Sequence, residues 1–148
     1  MSILHTGVGE ALSPLVKAPI TQEQLRRYAD ASGDHNPIHL DEEVARRVGL
    51  ASVIAHGMLS MAFLGQFLEQ QLSGIADAFV ARLNVRYISM VRLGDTITCE
   101  GVVKEHTTSD GREMVAVECW AQNQHGEKVT TGSAMLSLPL TGNSEVQA

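Results

Sequence analysis

At 148 residues the chain has the length of one domain, enough to bury roughly two-thirds of its unfolded surface around one core. Hydrophobic residues at 44% and charged residues at 19% exclude a disordered or fibrous composition. A formal charge of -6 argues against broad nucleic-acid binding, which needs a cationic surface, so an anionic ligand has to be met by a local basic cluster.

In chain order, the N-terminal stretch MSILHTGVGEALSPLVK carries no basic leader before an apolar run, so no secretory signal is expected. Thr21 and Gln24 have the spacing of a capping box, and Leu25, Tyr28 and Ala29 follow at helical intervals, which predicts a helix from Thr21 to Ala31. Gly33 ends it. Asp34-His35-Asn36-Pro37 are turn formers, and Pro37 drives Asn36 toward an extended conformation, so Asp34 to His39 reads as a fixed turn. Asp41 can cap a second short helix through Arg47, ending near Gly49. A third helix begins at His56-Gly57, and from Met58 to Leu72 its apolar residues cover so much of the helical wheel that burial on most sides is expected. Its apolar core, Gly57 to Leu68, is shorter than a bilayer span, so the protein is expected to be soluble, with no membrane partner.

After Gly74 the segments Phe79 to Ser89, Thr96 to Glu105, Glu113 to Gln122 and Val129 to Leu138 are rich in β-branched residues and read as four strands. Gly94-Asp95, Asp110-Gly111 and His125-Gly126 supply turns, which predicts an antiparallel meander of consecutive strands. A greasy helix followed by such a sheet predicts an α+β fold with the sheet wrapped around the helix. Residues 1–148 are expected to form one domain, with 139–148 a frayed tail. Cys99 and Cys119 fall in predicted strands and suit buried reduced thiols, hence a cytoplasmic setting.

The chemistry concentrates in Gly33-Asp34-His35-Asn36-Pro37-Ile38-His39 and Ala55-His56-Gly57-Met58. The rigid turn lets a carboxylate and an imidazole five positions apart converge on one small molecule, offering a base and a proton carrier near neutral pH. At Gly57 the first amides of a helix lack intrahelical acceptors, and a glycine admits close approach by a ligand. A carbonyl oxygen resting there would be stabilised as it gains negative charge.

These segments resemble the MaoC-like family of hot-dog-fold proteins, which includes R-specific enoyl-CoA hydratases and 3-hydroxyacyl thioester dehydratases. The likeness spans roughly Thr21 to Glu105, including Val85-Arg86-Tyr87 and Val91-Arg92-Leu93-Gly94-Asp95-Thr96. It implies that Asp34 and His39 hold and activate water, that the Gly57 amide binds the thioester oxygen, and that Asn36 braces the turn. Asn36, His56, Met58, Arg86 and Arg92 are the expected substrate-contacting set around them. The resemblance further implies a dimer, or a multiple of dimers, whose sheets join edge to edge. The ligand is then a thioester of coenzyme A or acyl carrier protein, and water addition requires no cofactor. His35 stands where it can perturb Asp34.

The same residues also have structural roles open to them. Asp34 suits a turn cap, His39 a structural histidine and Gly57 a tight helix entry, but the combined motif points to chemistry. Metal ligation by His35, His39 and His56 is disfavoured, because Pro37 spoils helical spacing and no cysteine is near. His5, His106 and His125 read as surface or turn residues, and Arg82, Arg86, Arg92 and Lys104 as strand charges or phosphate contacts. A hot-dog thioesterase would want a carboxylate near the start of the central helix, whereas Glu69 lies far along it. A non-catalytic subunit of a heterodimer would not need both Asp34 and His39.

Overall fold

The computed structural model describes residues 3–140. After a 3-10 turn at Ile3–His5 come β1 (Leu15–Val16), α1 (Gln22–Ser32), a second 3-10 turn (Pro37–His39), α2 (Glu42–Arg47) and α3 (Gly57–Gln71). Four long strands follow: β2 (Phe79–Tyr87), β3 (Thr98–Ser109), β4 (Arg112–Gln122) and β5 (Lys128–Pro139). Local signals set the first boundaries. Thr21 Oγ1 accepts the Gln24 amide at 3.1 Å, and Gly33, at φ 80°, ends α1 by donating its N–H to Ala29 O. Asp41 caps α2 by accepting from the amides of Glu43 and Val44.

The strands form one antiparallel sheet in the order β1-β3-β4-β5-β2. Asp110 and Gly111, both at positive φ, make the two-residue turn that joins β3 to β4, and β3 continues past Glu105 to Ser109 to reach it. The predicted consecutive meander is corrected at β2, which pairs with β5 (Val85↔Gly132) rather than with β3. The Gly94-Asp95 turn is not a hairpin. Gly94 N donates to Ile20 O at 2.8 Å, Ile20 N to Asp95 O at 3.0 Å and Lys17 N to Ile97 O at 2.8 Å, so the chain is carried to the opposite edge of the sheet. There the two-residue β1, too short to show a period, pairs with β3 (Leu15↔Cys99).

The sheet packs on α3 and gives the curled, antiparallel arrangement of an α+β hot-dog fold. Leu59, Phe63, Leu64, Phe67 and Leu68 are buried against it, together with Val103, Val115, Leu136 and Leu138 from the strands. Helix and sheet meet closely at Gly101, where an added Cβ would lie 2.9 Å from Glu118 O and 3.1 Å from the Phe67 ring. Cys99 and Cys119 are free and buried in this layer, which pushes their thiols up to about 12 and about 11. Helix α3 is buried on most sides, as expected, and Met58, Ala62, Gln66, Glu69 and Gln70 form a single exposed stripe on the flank the sheet does not reach. Of the expected frayed tail, Pro139 belongs to β5 and residues 141–148 lie outside the described ones. Among the described residues no helix is long and apolar enough to cross a membrane.

Candidate active site

Gly33, by ending α1 in the left-handed region, turns the chain so that Asp34 begins an irregular stretch instead of a further helical turn. Asp34 N donates to Ser32 Oγ at 3.1 Å, and Asp34 Oδ1 accepts the Asn36 amide at 3.2 Å. Asn36 Oδ1 accepts the Ile38 amide at 3.2 Å and so caps the 3-10 turn that starts at Pro37. That turn is pinned to its surroundings by Gln22 Nε2 donating to His39 O at 3.0 Å and by Ile54 N donating to Ile38 O at 3.2 Å. The result is a buried His39 beside a half-exposed Asp34.

His39 Nδ1 lies 2.7 Å from Ile54 O. A carbonyl only accepts, so this nitrogen carries the proton and, in the neutral ring, the Nε2 lone pair is left free. Nε2 lies 3.8 Å from Asp34 Oδ2. This is too far for a direct hydrogen bond but close enough for one small oxygen species to bond to both. The residue that separates this pair from α3 is His56, buried, with its ring stacked on His39 at a centroid distance of 3.9 Å and its Nε2 3.0 Å from Asp34 O. Tyr28 of α1 packs against the His56 ring at 4.7 Å.

Helix α3 starts without a side-chain cap, unlike α1 and α2. Its first amides therefore have no side-chain acceptor, and the positive end of the helix dipole points toward the same region. Gly57 has no positive φ, and a Cβ built there would meet the Tyr87 ring at 3.5 Å, an ordinary contact. Neither backbone strain nor packing requires a glycine at this position. What glycine does leave is a bare amide beside an open space.

That space is a cleft of about 620 Å³ lined by His39, Ile54, Ala55, His56, Gly57 and Ser60, by Tyr87 to Arg92 at the end of β2, and by Asp95, Asn123, His125, Glu127 and Thr130. Of the expected residues, the structure brings His39, His56, Gly57 and Arg92 into the cleft, with Asp34 beside His39 at its head and Asn36 beneath the turn. Two others lie elsewhere. Met58 points away on the uncovered flank of α3 and is 60% exposed. Arg86 alternates with Tyr87 along β2 and lines a separate depression with Glu118 and Ser133. His35 turns to Asp30 Oδ1 at 3.0 Å, and that hydrogen bond raises its pKa. His125 is an exposed turn residue, as expected, and also lines the cleft, whereas His106 lies within β3 and is held between Glu113 Oε1 at 2.8 Å and Thr6 O at 3.0 Å instead of standing free on the surface. Tyr87, Thr130, Ser60 and Asn123 are further lining residues: the pairing of β2 with β5 brings Tyr87 beside Thr130, Ser60 lies within the first turn of α3, and Asn123 comes from the β4–β5 turn.

Asp34, His39 and His56 place potential ligand atoms within 4.8 Å of one another, a convergence that the spacing argument did not foresee. The 3.8 Å between Asp34 and His39 exceeds the roughly 3.4 Å edge of a tetrahedron with bonds of about 2.1 Å. The stacked imidazoles also run side by side instead of converging, so the cluster as it stands is not a metal cage.

The model of the MaoC-like domain family matches residues 5–125. The chain belongs to the MaoC-like family. Among its MaoC-like relatives, the (R)-specific enoyl-CoA hydratase of Rhodospirillum rubrum is 30% identical over 146 residues, covering 95% of this chain and 96% of that protein. The 3-hydroxybutyryl-CoA dehydratase of Methylorubrum extorquens is 30% identical over 129 residues, 86% of this chain and 79% of that one. Among solved structures, the (R)-hydratase of A. caviae involved in PHA biosynthesis superposes with a TM-score of 0.79 at 27% identity, covering 91% of this chain and 98% of that one.

Proposed function

We propose that the protein is a hydratase or dehydratase of 2-enoyl and (R)-3-hydroxyacyl thioesters, carried on coenzyme A or acyl carrier protein. The observation that carries this reading is the Asp34 carboxylate facing the free Nε2 of His39 at 3.8 Å, at the head of a cleft that also holds the bare Gly57 amide. Both groups present lone pairs, so a water between them donates its two hydrogens and keeps its own lone pairs for carbon. Its oxygen bonds to the β carbon as an O–H proton passes to the Asp34/His39 pair, with Asp34 as base and His39 as relay. The displaced electron pair moves to the thioester oxygen, where the Gly57 N–H stabilises it. The pair then returns the proton to the α carbon from the same face. Addition is therefore syn, and water and proton balance without a cofactor.

The names of the relatives support this reaction class, and 30% identity leaves chain length and carrier to experiment. A thioesterase is less well served, because Glu69 is exposed and absent from the cleft. A non-catalytic subunit would not keep Asp34 and His39 facing each other. The proposal extends to assembly. β2 is an edge strand whose surroundings expose Phe79, Tyr87, Ile88 and Met90, which favours a second copy joined along that edge.

Purified protein with crotonyl-CoA and longer 2-enoyl-CoAs tests the reaction, with enoyl absorbance and thiol release followed together. Loss of enoyl absorbance without thiol release is expected. Thiol release with the enoyl group intact would instead identify a thioesterase.

A further inference from the structure

We infer that His56 is a positioning residue for the Asp34/His39 pair, holding Asp34 through its main-chain carbonyl and His39 through its ring face. The inference rests on the hydratase reading above. It goes beyond the expectation that His56 belongs to the substrate-contacting set.

His56 does not serve the start of α3 in the usual way. It occupies the N-cap of α3, where a side-chain oxygen would satisfy a free amide, yet it makes no capping bond. Thr21 and Asp41 perform that task for α1 and α2. The imidazole is 2% exposed, and its Nδ1 is buried with no hydrogen-bond partner. An unpaired buried acceptor is a cost that a purely structural helix start would avoid. The side chain is committed elsewhere.

Its Nε2 lies 3.0 Å from Asp34 O. Because that carbonyl only accepts, Nε2 carries a hydrogen, and since Nδ1 is buried with no acceptor for a second one, the neutral ring is the form that fits. This bond spans 22 positions and ties the start of α3 to the residue that bears the carboxylate. The ring face lies 3.9 Å from the His39 ring at 27° and leaves His39 little room to rotate. Tyr28 closes the other side at 4.7 Å. The groups that bear on His56 are thus His39, Asp34, Tyr28 and, more remotely, His35, and burial outweighs the pull of Asp34 so that the imidazole sits below its usual range. A neutral neighbour matters here, since a cation stacked on His39 would oppose the proton that His39 has to take up.

Two measurements test this. In wild-type protein labelled with 15N-histidine, the His56 signals are assigned by their loss in His56→Gln and are expected to report a neutral ring protonated on Nε2 at pH 7. A ring protonated on Nδ1, or on both nitrogens, overturns the inference. In the crotonyl-CoA assay, His56→Phe keeps the ring but removes the N–H, and kcat is expected to fall about ten- to a hundredfold while KM stays within about twofold. His56→Gln, whose amide N–H can reach the same carbonyl, is expected to recover several-fold of that loss. Full kcat in folded His56→Phe, or equal losses in both variants that simply follow Tm, overturns it. Absence of hydration by the wild type would remove the functional reading and the positioning role together, while the nitrogen spectra would still decide the Asp34–His56 bond.

Discussion

Asp34 and His39 act on the same water in the proposed reaction, so their contributions should not add. Asp34→Asn keeps the turn's shape but loses the base, and His39→Ala loses the relay; each should lower kcat by roughly two to four orders of magnitude. The double variant should be little worse than the weaker single one, and a cycle of kcat values checks this. Gly57 gives a second residue-scale outcome. A Cβ there meets only an ordinary 3.5 Å contact with Tyr87, so Gly57→Ala should fold with stability equal to wild type or up to about 1 kcal/mol higher. Yet the methyl group stands beside the amide that the thioester oxygen needs, and enoyl hydration should drop at least about tenfold. An unchanged rate would show that Gly57 is only a helix entry. His56 supplies a pH effect. Its folded pKa is lowered by burial, so the unfolded chain binds a proton that the folded chain refuses. The contribution is fully present above the unfolded value of about 6.5 and is lost as the pH falls below it. Urea midpoints at about pH 7.5 and 5.5 should therefore fall more in wild type than in His56→Gln.

At the scale of elements, the site depends on how closely α3 approaches the sheet. Gly101 is a point of close approach: an added Cβ would lie 3.1 Å from the Phe67 ring of α3 and 2.9 Å from Glu118 O on the neighbouring strand β4. Backbone cannot yield as a flexible side chain would. Gly101→Ala should therefore destabilise by about 1–3 kcal/mol, read as a lower urea midpoint with an unchanged m value. The long connector from Ile88 to Ile97 is the other decisive element. By crossing the sheet instead of folding back as a hairpin, it leaves β2 at the edge beside α3 and brings Tyr87 to Arg92 around the cleft. Gln124 clamps the β4–β5 turn to this connector, donating to Asp95 Oδ1 at 2.9 Å and accepting the Thr96 amide at 3.0 Å.

For the whole molecule, the open edge of β2 and the bare flank of α3 are the features a single chain leaves unfinished. Met58 at 60%, Ile88 at 53% and Phe79 at 49% exposure are large apolar groups that water disfavours. A dimer joined at β2 would cover part of them. Light scattering at micromolar concentration is expected to give at least twice the chain mass, and monomer alone would count against this assembly.

Features that depend on short-range chemistry are legible in the residues alone. Thr21, Gly33 and Asp41 set the limits of α1 and α2, and Asp110-Gly111 set a hairpin, because caps and tight turns act within a few residues. The Asp34 to His39 turn was legible for the same reason, with Asn36 and Pro37 shaping it locally. Asp34, His39 and Gly57 were singled out because residue type and spacing already carry the chemistry, helped by a motif shared with a family. Long-range packing, in contrast, is what pairs β2 with β5, turns Arg86 and Met58 away from the cleft, and engages the His56 imidazole with Asp34 and His39. These depend on contacts between residues far apart in the chain. Hydrophobic period reports which face of a strand or helix is buried, but it does not say which neighbour does the burying.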